Sequence, residues 1–554
     1  MATSSPSKPA PSARRPAGGA ASPAHAHRRL AAAVGALGLV LLAALLVFAF
    51  RGSSEPPPAT GAAALVPADA LMYVHLSTDA SRPAVRRWEA VLRRLPDRGA
   101  GLGGIAQRVV AEVSGSPTAT AGALSPWLGP EAAFALLNTP GVSAGSIAVL
   151  AVRDHARAAA FVARAGARTV GSYRGDPLLR YPTGAELAFV RGYLVVGQDA
   201  GVRAAIDTAA HRTRSLAGDS AYRRASAGEP DGRVLDVYLS AAGVSRVLDA
   251  QPGFLGLVGT LLSRPGLLGT AISVTAQAPG LRIRVHSALN PRVARAAAAP
   301  LAAFTPTLQN VLPAGTTLML DARNLNALAP GVLRALGQVG LLGGVPDLFH
   351  RVGVAMAAQG TQAQLRALLR LFSGETAVAL AAGTGAPALV IVTRTSHQAA
   401  ARVTLGDMAA ELAQLFTPDS GAAGVVPEVS DVQVGGVTAA SLQLAPGLQV
   451  DYAVFRGLVV VSTSVRGIAD MVERRGSLAG DPRFAAVLGN RPSQVTSLGF
   501  ADFSQLLSLG EQSTLERGST FRALQPDLEA IRAAGLDSTR GEADTTAELD
   551  LQTP

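Results

Sequence analysis

Cysteine is absent from the 554-residue chain. That absence excludes disulfides, thiolate metal centres and cysteine nucleophiles, so the fold must be held by packing. Lysine is nearly absent as well: of 49 Lys plus Arg residues only Lys8 is a lysine. A Walker-type phosphate loop needs a lysine after its glycines, and no lysine follows position 8. Beside 59 glycines and abundant alanine, the arginine excess reflects the coding bias of a GC-rich genome. The net charge of +10 therefore does not imply nucleic acid as a partner. The eight histidines are scattered and no His-Glu-x-x-His occurs. No catalytic, cofactor-binding or metal-binding residue is assigned.

What is present is one long apolar run. Leu30–Phe50 contains no charged or polar side chain. As a helix it would span roughly 31 Å, close to the ~30 Å hydrocarbon core of a bilayer. Residues 1–29 carry Lys8, Arg14, Arg15, Arg28 and Arg29 and no acid, which keeps that end cytoplasmic. The run is too long for a signal h-region, and Val47-Phe48-Ala49-Phe50-Arg51 is a poor cleavage site. The expectation is a single-pass anchor in the cell membrane with the bulk of the chain extracytoplasmic. Residues 1–29 are read as a disordered tail, 30–50 as the transmembrane helix, and 51–64, with Pro56-Pro57-Pro58, as a spacer.

The remainder repeats itself. Leu65-Val66-Pro67-Ala68 answers Val311-Leu312-Pro313-Ala314, and Gly129-Pro130-Glu131 answers Ser373-Gly374-Glu375. Phe189-Val190-Arg191-Gly192 answers Val454-Phe455-Arg456-Gly457, and Ser215-Leu216-Ala217-Gly218-Asp219 answers Ser477-Leu478-Ala479-Gly480-Asp481. Two duplicated α+β units with largely antiparallel sheets are expected, at 65–290 and 305–554. Arg191-Gly192 marks a hairpin, while Asp154, Asp219 and Asp481 sit as helix N-caps.

These segments, with Pro126-Trp127-Leu128-Gly129-Pro130-Glu131 and Val152-Arg153-Asp154, resemble a bacterial family of unknown function, domain-of-unknown-function family 3352. The resemblance implies a membrane-anchored extracytoplasmic protein and supplies no catalytic residues. The second copy departs from the pattern, lacking the Pro-Trp and the Asp before its helix.

Gly141-Val142-Ser143-Ala144-Gly145 matches a nucleophile elbow, but such a serine needs a strand before it and a helix after it. A strand is expected at 147–152, which makes the motif a hairpin loop. His155 and His397 occupy matching helix starts and are read as helix-start residues inherited with the duplicated unit, the functional alternative being a proton-responsive contact. The expected function is a non-enzymatic binding or scaffold module of the envelope; the alternative is an envelope hydrolase acting through carboxylates not identified in the sequence. An anionic lipid, an envelope polymer or a membrane protein would be the partner.

Charge asymmetry supplies the one candidate contact. Residues 65–290 hold 24 Arg against 16 Asp plus Glu, a net +8, and residues 291–554 hold 19 Arg against 22 acids, a net −3. Arg86, Arg87, Arg93 and Arg94 share one face of an amphipathic helix, opposite the apolar stripe of Val85, Trp88 and Leu92. Next to the anchor such a face suits anionic headgroups, each Arg contributing about 1 kcal/mol. Changing all four to Gln should weaken binding of an anchor-less fragment to anionic vesicles; unchanged binding would remove the assignment.

Overall fold

The computed structural model describes residues 56–92, 124–138, 145–249, 262–277, 280–296, 302–325, 370–381, 387–416, 427–445, 448–511, 529 and 531–552. The apolar run Leu30–Phe50 lies outside the described residues, as do Arg93 and Arg94. Among the described residues no helix is long and apolar enough to cross a membrane.

The fold is α+β, built on one large antiparallel sheet of twenty strands. The first ten are β1 (Met72–Ser77), β2 (Leu128–Leu136), β3 (Ser146–Val152), β4 (Arg168–Tyr173), β5 (Asp176–Arg180), β6 (Glu186–Val190), β7 (Tyr193–Gly197), β8 (Arg233–Ser240), β9 (Leu267–Gln277) and β10 (Gly280–Leu289). Their spatial order is 4-5-6-7-3-2-1-8-9-10. The second ten are β11 (Thr316–Arg323), β12 (Glu375–Ala381), β13 (Ala388–Arg394), β14 (Glu428–Val434), β15 (Val437–Ala445), β16 (Leu448–Phe455), β17 (Leu458–Ser462), β18 (Ser497–Asp502), β19 (Ala533–Arg540) and β20 (Asp544–Gln552). Their order is 14-15-16-17-13-12-11-18-19-20.

β10 and β20 join the two halves, with Gly280–Ala288 running antiparallel to Gln552–Asp544. Strand alternation sorts this seam by face. Leu281 opposes Leu551 and Ile283 opposes Leu549, with Leu281, Ile283 and Leu551 all buried in the core. Between them Arg282 opposes Asp550 and Arg284 opposes Glu548. The Arg282 guanidinium binds Asp550 through two hydrogen bonds, Nε to Oδ1 and a terminal nitrogen to Oδ2, each 2.8 Å.

Local signals place the surrounding pieces. Asp154 accepts the Arg157 amide at 3.0 Å and caps the helix His155–Arg164. Asp219 caps Ser220–Ala225, and Asp481 caps Pro482–Leu488 with Pro at the favoured first position. Arg191-Gly192 and Arg456-Gly457 both take positive φ, as a two-residue hairpin turn demands. β2 and β3 pair directly, so the Ser143 loop, itself outside the described residues, connects two strands rather than a strand and a helix. Both tryptophans are buried; Trp127 packs on Phe161 at 5.3 Å, and its carbonyl accepts the amides of Arg153 and Asp154.

The structure differs from the sequence reading in two places. β4–β5 and β14–β15 are hairpins that the sequence pattern did not mark. Their outer strands, Arg168–Tyr173 and Glu428–Val434, are exposed over most of their length, so they lack an apolar period. Residues 61–64, counted within the spacer, form a 3₁₀ turn with Ala62 and Ala63 buried against the first half.

An Arg282→Ala, Asp550→Ala double-mutant cycle should return a coupling of about 1 kcal/mol in chemical denaturation, as a partly buried two-point ion pair warrants. A coupling near zero would mean the apolar face alone holds the seam.

Candidate functional site

The recurring sequence strings converge on one place in each half. In the first, the 3₁₀ turn Gly61–Ala64 leads into Val66, whose carbonyl accepts the Leu216 amide of the Ser-Leu-Ala-Gly-Asp turn at 2.7 Å. In the second, the 3₁₀ turn Leu308–Asn310 leads into Leu312, whose carbonyl accepts the Leu478 amide at 2.8 Å. Glu131 in β2 and Glu375 at the start of β12, both from matched strings, reach beneath these turns. Glu131 Oε2 accepts the Ala62 amide at 3.2 Å, and Glu375 Oε1 accepts the Leu308 amide at 2.8 Å.

Around Glu131 lies a buried ionic chain. His75 on β1 places Nε2 3.4 Å from Glu131 Oε2, and Nδ1 2.9 Å from Asp236 Oδ2 on β8. Asp236 continues to Arg233 at 2.9 Å, and Arg233 to Glu229 at 3.2 Å. The Tyr193 hydroxyl donates to Glu131 Oε1 at 2.6 Å. Burial opposes a charged imidazole, but the hydrogen bonds with Asp236 and Glu131 outweigh it and raise the His75 pKa to about 9. Burial likewise pushes Glu131 up, yet its bonds with His75, Tyr193 and Ala62 hold it below the ordinary range. His75 is thus an imidazolium between two carboxylates.

The second half answers differently. The β1/β2 and β11/β12 registers set Asp321 where His75 stands, since His75 opposes Ala133 and Asp321 opposes Ala377. Asp321 is fully buried, and neither of its carboxyl oxygens has a hydrogen-bond partner among the described residues. Burial, then the nearby Glu375 charge, raises its pKa to about 8. Glu375 in turn accepts Thr307 Oγ1 at 2.5 Å and Arg394 Nε at 3.3 Å. One half holds its acid with a cation; the other holds it beside a protonated acid.

Of the basic helix face, Arg86 and Arg87 lie among the described residues. The helix spans Pro83–Leu92 with Ala84, Val85 and Trp88 buried, as its apolar stripe requires. Arg86 is exposed and donates to the Ala80 carbonyl at 3.3 Å; Arg87 is half-buried. Arg82, just before this helix, is buried and clamps Ser77 Oγ, the Arg233 carbonyl and the Asp231 carbonyl. His155 stacks 4.5 Å from Phe189, and His397 lies on the surface beside Ser396. Neither His155 nor His397 joins the buried chains.

Sequence reasoning missed His75, Asp236 and Asp321. Their signal was an ionisable residue inside an otherwise apolar strand, where burial forces a partner or a neutral form. A cleft of about 620 Å³ lies elsewhere, lined by Pro67, Ala68, Leu137, Ala200 and Ala204 with Asp69 and Arg214 among its polar members. None of the residues with shifted pKa lines it. Among the described residues no cluster of His and acid side chains suits a metal ion.

The family described as "Protein of unknown function (DUF3352)" matches residues 30–552. The chain belongs to that family. DUF3352 is the family its recurrent motifs resemble. No curated protein matches. Among solved structures, "Structure of crystal form IV of TP0453" is 9% identical and covers 41% of this chain and 83% of that one, with a TM-score of 0.25. "Structure of crystal form I of TP0453" is 10% identical and covers 44% and 81%, with a TM-score of 0.24. Scores of that size do not establish a common fold.

Both buried chains tie stability to pH in the same direction. A raised histidine pKa gives stability that is complete below 6.5 and lost as pH climbs through about 9. A carboxyl raised from 3.8 to about 8 gives stability complete below 3.8 and lost on the way to pH 8. The thermal midpoint should therefore fall between pH 6 and 9. Asp321→Asn, which keeps the shape and cannot ionise, should raise stability at pH 8 by at least about 1 kcal/mol and leave pH 4 unchanged. His75→Ala should cost roughly 3–5 kcal/mol by removing the cation that faces Glu131 and leaving Asp236 with Arg233 alone. A flat pH profile in calorimetry would contradict both assignments.

Proposed function

We propose that this protein is a duplicated scaffold of the bacterial cell envelope, anchored by Leu30–Phe50 and binding a partner rather than transforming a substrate. The observation that carries the reading is the apolar run with its basic, acid-free flank, and the DUF3352 match begins at its first residue. The membrane is the first partner, with Arg86, Arg87, Arg93 and Arg94 meeting anionic lipid or envelope polymer near the anchor. Because Gly61–Ala64 packs on the first half, only residues 51–60 separate that half from the anchor, which would hold it close to the bilayer.

Duplication is supported by the matched strand orders and by the equivalent capping roles of Glu131 and Glu375. A binding role is supported by where the ionisable groups lie. Glu131, His75, Asp236 and Asp321 are sealed between the sheet and its covering turns, where they brace the fold. The described cleft is lined mainly by apolar side chains, the character of a binding surface. The hydrolase reading would draw on Asp321 beside Glu375, since the raised pKa of Asp321 suits general acid work, but both groups would need a route to substrate.

Protease added to cells whose outer barrier has been opened should digest residues beyond the anchor and spare the 1–29 tail. Protection of the bulk of the chain would overturn the topology, and the envelope role with it.

A further inference from the structure

The twenty-strand sheet ends in β4 on one side and β14 on the other; among the described residues no strand pairs with the outer edge of either. A bare edge presents unpaired N–H and C=O groups, which proteins usually cover or blunt. Each edge carries an exposed valine: Val170 is 46% exposed and Val429 47%. Val170 is also the surplus residue of a bulge, unmatched by β5. The two edges differ in sign. Arg168 lies on β4, and Glu428 and Asp431 lie on β14; none of the three forms an ion pair among the described residues.

We propose that β4 of one copy pairs antiparallel with β14 of a second copy, carrying the sheet from molecule to molecule. One register satisfies the side chains together. Val170 against Val429 sets Thr169 against Ser430 and Arg168 against Asp431, giving an apolar pair, a hydroxyl pair and an ion pair in consecutive positions. A slip of one residue breaks the apolar and ion pairs at once. The same sign pattern already works at the centre, where Arg282 and Arg284 of β10 meet Asp550 and Glu548 of β20. A contact between two different edges is heterologous, so it builds a ring or an open row of molecules. Strand addition of this kind takes its affinity from main-chain hydrogen bonds and its specificity from the side-chain pairs. The contact stands independently of the membrane anchor and would hold if that assignment failed.

The cysteine-free sequence offers a clean test. Val170→Cys and Val429→Cys in the purified full-length chain would carry the only thiols. After mild oxidation the double variant should run as a reducible ladder of covalent oligomers. Mixed single variants should give dimers containing one of each, and neither single variant alone should cross-link. Arg168→Asp should cut the ladder about fivefold, the scale of one cross-strand pair. Adding Asp431→Arg should restore it. The two valines of one chain lie roughly 90 Å apart along the sheet at about 4.8 Å per strand, so a disulfide within a single chain would overturn the proposal. So would homodimers of either single variant, failure of the charge swap to restore the ladder, or absence of cross-linking in the purified chain.

Discussion

The antiparallel seam between β10 and β20 is the contact on which the architecture depends. Without it the chain would be two ten-strand sheets, each with a long bare edge; with it there is a single sheet that ends in β4 and β14. The seam works because strand alternation separates its tasks. Leu281, Ile283, Leu549 and Leu551 bury apolar area on one face, while Arg282, Arg284, Glu548 and Asp550 fix partner and register on the other. The charge difference between the halves, a global property of the sequence, has part of its local meaning here: the basic half contributes the basic strand and the acidic half the acidic one.

Below that level, each half is organised by a glutamate under its opening turn. A carboxylate at the start of a buried strand is costly unless its oxygens are satisfied. Glu131 and Glu375 meet that demand by accepting amides of the 3₁₀ turns, so the turn, β2 or β12, and the Ser-Leu-Ala-Gly-Asp loop are locked together. What faces the glutamate differs between the halves. His75 neutralises Glu131 with a cation braced by Asp236, whereas Asp321 avoids repulsion from Glu375 by keeping its proton. Equivalent positions have reached the same end by opposite electrostatic means, and both solutions weaken as pH rises.

Much of this was legible in the chain. The helix caps at Asp154, Asp219 and Asp481, the Arg-Gly hairpin turns and the antiparallel α+β class follow from local chemistry that needs no distant partner. The buried stripe of Val85 and Trp88 follows from helical period. The β4 and β14 strands escaped because they are exposed on both faces and carry no alternation for a pattern to detect. The buried chain escaped for the reverse reason: His75 and Asp236 are 161 positions apart, and only strand pairing brings β1 and β8 side by side.

Composition alone determined that no disulfide, thiolate metal site or lysine-dependent phosphate loop exists in this protein, because those chemistries need atoms the sequence does not contain. Spacing alone determined the local turns and caps, whose partners lie within a few residues. Tertiary structure decided that Arg82 is a buried clamp, that two matched glutamates accept the amides of their turns, and that the halves share one sheet. Those outcomes depend on which strands lie next to one another, a matter settled by long-range packing and hydrogen bonding that no local stretch of residues encodes.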